Sequence, residues 1–349
     1  MEPAVNNGRS RLAMVAVAIV LLALPLLASD RWVTIANLAA ISVVGSVGLM
    51  ILTGFAGPIS LGHAAFMALG AYFAAFAGHG WHLPFWLVLP LAGAVGAAVG
   101  LAVGSFSLRL AGLQLAIVTI GLVYLVQYLL HAVPEATGGA SGMSVPMYVV
   151  PFDSETGMRE VYASMAYGPL VLDFSRKLYL IFVLVAVASV WMARNLRRSD
   201  AGRAMLAVRD QHLAAAALGI HPARMKIIAF VISSFFAAVA GAMFAVQQQY
   251  LTIEPFNLAM SIDYVAMIVI GGIGTVFGAV AGALAFVVLA PMLEDLGAVL
   301  PLISELSSAQ QSTVLFSVLV CLFLIFEPLG LFGLWMRGRR YFAARRFRQ

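Results

Sequence analysis

The chain has 349 residues, 62% apolar and only 10% charged, where an ordinary soluble domain carries roughly 25% charged residues. With a mean hydropathy of +0.99, its apolar surface exceeds what a soluble interior could hide, which excludes a cytosolic enzyme, a secreted disulfide scaffold and a disordered tail protein. The net charge of +5 does not describe a nucleic-acid surface: of the 20 Lys and Arg residues, seven fall within 194–226 and six within 337–348, flanking apolar runs where basic residues hold the cytoplasmic side.

At the N-terminus, Arg9 and Arg11 precede an apolar run at 12–28. The run is longer than a signal-peptide core, and Leu26-Leu27-Ala28 lacks an A-x-A cleavage pattern, so it reads as an uncleaved anchor. Nine further runs follow, at 34–52, 58–77, 84–107, 110–131, 178–193, 227–249, 258–275, 277–293 and 312–330. Each is close to the length that crosses a hydrocarbon core as a helix, about 17–25 residues. None alternates like a barrel strand, and backbone facing lipid must satisfy its hydrogen bonds within the segment. The chain therefore reads as an all-α polytopic membrane protein of about ten transmembrane helices. Residues 1–336 form the membrane domain and 337–349 a basic cytoplasmic tail. The pair around Gly271-Gly272-Ile273-Gly274 reads either as two helices or as one broken or re-entrant element, and Pro58 marks another break.

Charge fixes one orientation. With 194–226 and the tail inside, four crossings separate them, as an even count requires. Asp30 and Arg31 then fall outside, Arg109 inside and the N-terminus inside. The loop 131–177, with five acids (Glu135, Asp153, Glu155, Glu160 and Asp173) against three bases, falls outside. Both termini are expected in the cytoplasm of a multi-pass inner-membrane protein.

Within the spans, Gly96, Gly100 and Gly104 form one small-residue stripe at helical spacing, and Gly274, Gly278 and Gly282 another. Such stripes let helix backbones approach closely where no hydrophobic force drives association. Polar residues in the spans are few: His63, Gln114, Thr119, Gln127, Gln247, Gln248, Gln249 and Asp263. Of these, His63, Thr119, Gln247 and Asp263 are the candidates for a translocation pathway. An acid deep in lipid costs about 2.5 kcal/mol or more, so Asp263 is expected to face a partner, a cavity or an interface. It reads equally as a hydrogen-bond anchor. His63 reads equally as a cavity-lining group or a backbone cap, and Gln247 to Gln249 read first as interfacial residues near a helix end.

The segment 194–226 is too polar for lipid, yet reads as helix. Asp200 is placed to cap a start, residues 201–217 are rich in helix formers, Gly219 supplies a stop and Pro222 prevents continuation. The expectation is one short helix on the membrane surface, docking another protein with Arg203 and Arg209 as charged anchors. An anionic-lipid patch would not need the apolar run Ala214-Ala215-Ala216-Ala217-Leu218. Reaction machinery is missing from the sequence. Lys177 and Lys226 are the only lysines, and neither sits in a Walker A loop. No His opens an H-E-x-x-H, and the single Cys321 builds neither a disulfide nor a thiolate metal site. No catalytic residue, metal site or bound cofactor is assigned.

Several blocks together resemble a family. Gly202-Arg203-Ala204-Met205, Ala214-Ala215, Leu218-Gly219-Ile220 and Lys226 are similar to the cytoplasmic coupling segment of LivM-type permeases, the membrane subunits of branched-chain amino acid ABC importers. Also matching are Ser60 to Phe66 leading to Gly70-Ala71-Tyr72, Leu108-Arg109-Leu110 leading to Ala116 to Gly121, Thr137-Gly138-Gly139 with Gly142, and Ser261-Ile262-Asp263 leading to Gly271 to Gly274. They occur in family order over residues 37–290. Two positions depart from the pattern: His212 stands where the family usually has an acid, and Glu254-Pro255 where it tends to have Ser-Pro.

The resemblance implies an ABC importer permease fold in which Gly202, Arg203, Arg209, Asp210, Ala214, Ala215 and Gly219 couple to the ATPase. It implies a LivH-like second permease subunit, two ATPase subunits that carry ATP and Mg, and a periplasmic binding protein. Relatives of the same mechanism carry urea, short amides or other amino acids. An ion-coupled secondary transporter would instead carry coupling-ion residues near the midplane, where this sequence has almost no ionisable groups.

Overall fold

The computed structural model describes residues 28–81, 83–107, 113–145, 165–167, 170–172, 174–297 and 330–345, with isolated positions at 25 and between 314 and 327. The expected spans at 12–28 and 312–330 lie outside the described residues apart from such isolated positions.

Helix α1 (Asp30–Met50) continues as a π-helical stretch, Ile51–Ala56. Then come α2 (His63–Trp81), α3 (Phe85–Ser107), α4 (Leu113–Ala132) and the single turn α5 (Pro134–Thr137). After these follow α6 (Phe174–Arg198), α7 (Asp200–Asp210), α8 (His212–Ala217) and α9 (Pro222–Gln248). The last described helices are α10 (Leu258–Gly271), α11 (Val276–Gly297) and α12 (Gly330–Arg345), which runs across the expected boundary at 337. Two antiparallel strand pairs complete the set: β1 (Met143–Ser144) with β4 (Tyr250–Leu251), and β2 (Met165–Tyr167) with β3 (Leu170–Leu172). Among the described residues six helices are long and apolar enough to cross a membrane: α1 with its π stretch, α3, α4, α6, α9 and α11. At a rise of about 1.5 Å per residue, the 14 residues of α10 reach about 21 Å, short of the roughly 30 Å hydrocarbon core.

Helix α9 is the hub, packed against α1, α2 and α3. Its middle is nearly all small residues, with Ala237, Ala238, Ala240, Ala242 and Ala245 fully buried. The crossings are correspondingly close. A Cβ on Gly70 would overlap the Ala238 carbonyl, and one on Gly241 the Met67 carbonyl. Gly93, Gly96 and Gly100 of α3 lie against Phe235, Ala238 and Ser234 of α9, while Gly104 meets Phe230 at an ordinary 3.5 Å.

The pair 258–275 and 277–293 is a helical hairpin. A Cβ on Gly271 would strike the Gly278 carbonyl, and one on Gly282 the Met267 carbonyl, so the two helices fold back on each other through glycine. Gly274 is not part of that stripe. It lies in the turn 272–275 with φ +86°, facing Gly54 and Arg209 instead of a helix.

The bundle has two distinct ends. At one, α6 and α9 are joined through α7 and α8. At the other, β1 pairs with β4, Val145 N donates to the Gln249 carbonyl at 2.8 Å, and His79 at the end of α2 lies 2.9 Å from the Ser144 carbonyl oxygen. Asp30 at the start of α1 pairs with Arg176 at the start of α6 (3.5 Å). Asn37 Nδ2 donates to the Ser175 carbonyl.

Candidate functional site

The third expected span, 58–77, begins as a helix at His63, not at residue 58. The π stretch of α1 ends at Gly57, whose φ of +93° is left-handed, and Pro58 has no N–H with which to continue a helix. Gly57 N still closes the π stretch on the Leu52 carbonyl, residues 58–61 then run without helical bonding, and α2 starts inside the bundle with its first N–H groups needing partners. Side chains from other helices supply them. Leu61 N donates to Thr119 Oγ1 on α4 (3.0 Å), and Ala64 N donates to Ser261 Oγ on α10 (3.0 Å). Gly62 N donates to Ser60 Oγ (3.3 Å), and the Thr119 hydroxyl itself donates to the Ala116 carbonyl (3.0 Å). Apolar neighbours surround these groups, so each lost partner would strand a buried donor, at a cost of about 1–3 kcal/mol.

His63 lies among them. Its ring is 2% exposed and leans on Tyr264 of α10, centroids 4.7 Å apart. Nε2 is buried and has no hydrogen-bond partner among the described residues. Tyr264 in turn occupies the space beside Gly45 of α1 and shares a side-chain hydrogen bond with Ser42. A broken helix start, a buried imidazole with a free nitrogen and hydroxyls from α1, α4 and α10 thus converge at one depth of the bundle.

The structure brings His63 and Thr119 together, but not the other two pathway candidates. Gln247 is half-buried at the β1–β4 end, its Oε1 without a partner. His63 is separated from that end by the 16 residues to His79, about 24 Å of helix. Asp263 lies exposed on α10 beside exposed Ile262.

The segment between α6 and α9 differs from the single helix expected. The cap is Ser199, whose side chain accepts from Gly202 N at 3.2 Å, not Asp200. The helix breaks at Gln211, which is extended (φ −155°, ψ 90°), giving α7 and α8 at an angle. Gly202 is buried, and a Cβ there would overlap the Leu196 carbonyl at the end of α6; it serves the sharp α6–α7 turn. Arg203 reaches back to the Arg198 carbonyl (2.6 Å) and to Asp200. Gly219, at φ +83°, closes α8, with Ile220 N donating to the Ala215 carbonyl in a Schellman arrangement.

Of the expected docking residues, Ala214 is exposed and Ala215 buried, while Leu213 and Leu218 stand 73% and 81% exposed. Arg209 does not point outward as an anchor. Its Nη1 donates to the Gly54 carbonyl in the π stretch of α1 at 2.6 Å, and Asp210 pairs with it at 2.8 Å. Nothing in the sequence signalled that contact except Pro58, which leaves the carbonyl four residues before it without a helical donor. Among the described residues no cluster of three His, Cys, Asp or Glu is placed to hold a metal.

Comparison with known proteins gives a consistent result. The family model for the permease component of branched-chain amino acid transport systems matches residues 31–326. The LivM permease protein of the high-affinity branched-chain amino acid transport system of Salmonella typhimurium is 34% identical over 340 residues, 94% of this chain and 77% of that protein. Its Escherichia coli counterpart is 33% identical over the same shares. The galactose/methyl galactoside import permease MglC of Salmonella typhimurium is 27% identical over 214 residues, 59% of each chain. No solved structure matches at a significant level.

Proposed function

Because the chain belongs to the permease-component family of branched-chain amino acid transport systems, we propose that it is one membrane half of an ATP-driven importer that carries branched-chain amino acids into the cytoplasm. The observation that carries this reading is the α7–α8 segment. It joins two long apolar helices, presents exposed leucines next to basic side chains, and belongs to a sequence without a Walker A loop. A chain without its own engine needs a place where force enters, and among the described residues this segment is so built.

In this reading the α7–α8 end and both termini face the cytoplasm, in agreement with the basic residues at 194–226 and 337–348. Two ATPase subunits, which bind ATP and Mg, dock there. A LivH-like permease covers the lipid-incompatible face around Asp263, and a periplasmic binding protein delivers cargo to the β1–β4 end. ATP-driven closure of the ATPases pushes α7 and α8, which moves α6 and α9. Access to the polar cluster around His63 then alternates between the two sides, as a two-state element requires.

The test is co-expression of the chain with an ATPase pair, a second permease and a binding protein of this importer class, followed by reconstitution into proteoliposomes. Uptake of labelled leucine, isoleucine or valine that requires ATP and binding protein supports the reading. Uptake by the chain alone without ATP refutes it, and transport of urea or short amides in preference to leucine corrects the cargo.

A further inference from the structure

Arg209 is a charged residue on the proposed force-receiving segment, yet its side chain is only 34% exposed and is spent within its own chain. Its Nη1 donates to the Gly54 carbonyl at 2.6 Å, and its Nε and Nη2 hold Asp210 at 2.9 and 2.8 Å. The stem lies along Gly57, where a Cβ would come within 3.1 Å of the Arg209 Cγ. A Cβ on Gly274 would come within 2.7 Å of Nη1. Gly54 itself approaches Gly274 so closely that a Cβ on it would lie 2.8 Å from the Gly274 Cα. Gly274 therefore leaves room for the guanidinium, Gly57 for the stem, and Gly54 for the close approach of the turn itself, so that three segments meet at Arg209: α7, the π stretch of α1 and the turn 272–275.

The acceptor is one that the helix cannot satisfy in the ordinary way. The α-helical donor for the Gly54 carbonyl would be the N–H of residue 58, which is proline. A charged donor to such a carbonyl is stronger than a neutral one and geometrically specific. Gly57 leads directly into the loop before α2, which Thr119 holds through Leu61 N, and on to the first turn of α2, which Ser261 holds through Ala64 N beside His63. The contact thus sits between the surface segment and the buried polar cluster.

We propose that Arg209 is a positioning residue: it latches the inner end of α1 and the α10–α11 turn to α7, so that displacement of α7 is passed to the loop that sets His63. The latch rests on the importer reading for its function, but its geometry is testable without it.

Two measurements test it. In nanodiscs holding the full chain with Cys321→Ser, spin labels on Arg203→Cys and Ile273→Cys report the distance between α7 and the 272–275 turn. A narrow distribution is expected, broadened by Arg209→Ala and partly restored by Arg209→Lys, which keeps charge and one donor. An unchanged distribution in Arg209→Ala overturns the latch whether or not the assembly transports. In proteoliposomes of the assembled importer, Arg209→Ala is expected to keep ATP turnover while the number of leucines moved per ATP falls about tenfold, the scale of one charged hydrogen bond, with Arg209→Lys intermediate. Turnover and uptake falling in parallel, or an unchanged ratio, overturns it. Failure of the unaltered assembly to couple ATP to uptake refutes the importer reading alone, and the label distances then decide the latch.

Discussion

At the crossing of α2, α3 and α9, glycine lets backbone meet backbone. At the junction of α1, α7 and the turn 272–275, glycine clears room for a side chain. The first arrangement has no slack: Gly70 and Gly241 each stand where any side-chain atom would overlap a carbonyl. The second is held by one guanidinium reaching a π-stretch carbonyl that has no α-helical donor, by the Thr119 hydroxyl accepting from the loop before α2, and by the Ser261 hydroxyl accepting from the first turn of α2. Close-packed crossings do not deform continuously, whereas side-chain bonds to irregular backbone can exchange. In the proposed transport cycle, the difference separates a body that moves as a unit from the joint about which it moves.

The sharpest way to break that division is at Gly241. A Gly241→Val substitution is expected to cost about 3 kcal/mol or more, the upper range for overpacking, and to abolish a monodisperse peak in detergent chromatography. Gly104→Ala, on the α3 stripe but with its nearest neighbour at 3.5 Å, is expected to shift stability by less than about 0.5 kcal/mol. Equal effects of the two would mean that the crossings are not the rigid part.

One step down in magnitude is the joint. Thr119→Val keeps the shape of the side chain but removes the acceptor of Leu61 N and the donor to the Ala116 carbonyl. The expected loss is about 1–3 kcal/mol in thermal stability, recovered by Thr119→Ser, which keeps the hydroxyl. Because the bond holds the loop before His63, uptake is expected to fall further than stability does. A Val variant with normal stability and uptake would remove the joint from the account.

Much of this was legible in the sequence. Run length located six of the spans among the described residues, because a helix in lipid has one way to satisfy its backbone, but it did not show that the run from 58 starts its helix only at His63 or that α10 is too short to cross. Helical spacing found the glycines at 96, 100, 278 and 282, since residues three and four apart share a face. Spacing failed at Gly274, because the same period runs straight through a turn: Gly272 and Gly274 at φ +111° and +86° end one helix and Val276 begins another. Composition foresaw helix over 201–217 but not the break at Gln211, nor Ser199 in place of Asp200 as the cap, because neighbouring residues of similar capping power are separated only by the path the chain takes. The direction of Arg209 was beyond reach. Its partner lies 155 residues away, and an arginine on a surface helix reads locally as an outward charge. His63 and Thr119 could be named as polar exceptions in apolar runs, but their meeting depends on how α2 and α4 pack, which no local pattern encodes.

The smallest effect on the fold, and the most selective on function, is expected at Leu218. It stands 81% exposed beside the Gly219 turn, as the C-cap of a helix of only six residues that contributes little buried area. Leu218→Ser should therefore leave the thermal stability of the chain within about 0.5 kcal/mol. With Leu213, 73% exposed on the same short helix, it offers an apolar contact that a partner would cover in the proposed assembly, and cover by lipid would tolerate the change to Ile that a shaped protein pocket would resist. Leu218→Ser is thus expected to weaken co-purification of an ATPase subunit, with Leu218→Ile intermediate, while the spin-label distance between α7 and the 272–275 turn stays unchanged because the Arg209 latch is on the other helix. Weakened association together with a changed distance would mean that α7 and α8 act as one rigid lever; weakened association alone keeps docking on α8 and transmission on α7 as separate tasks.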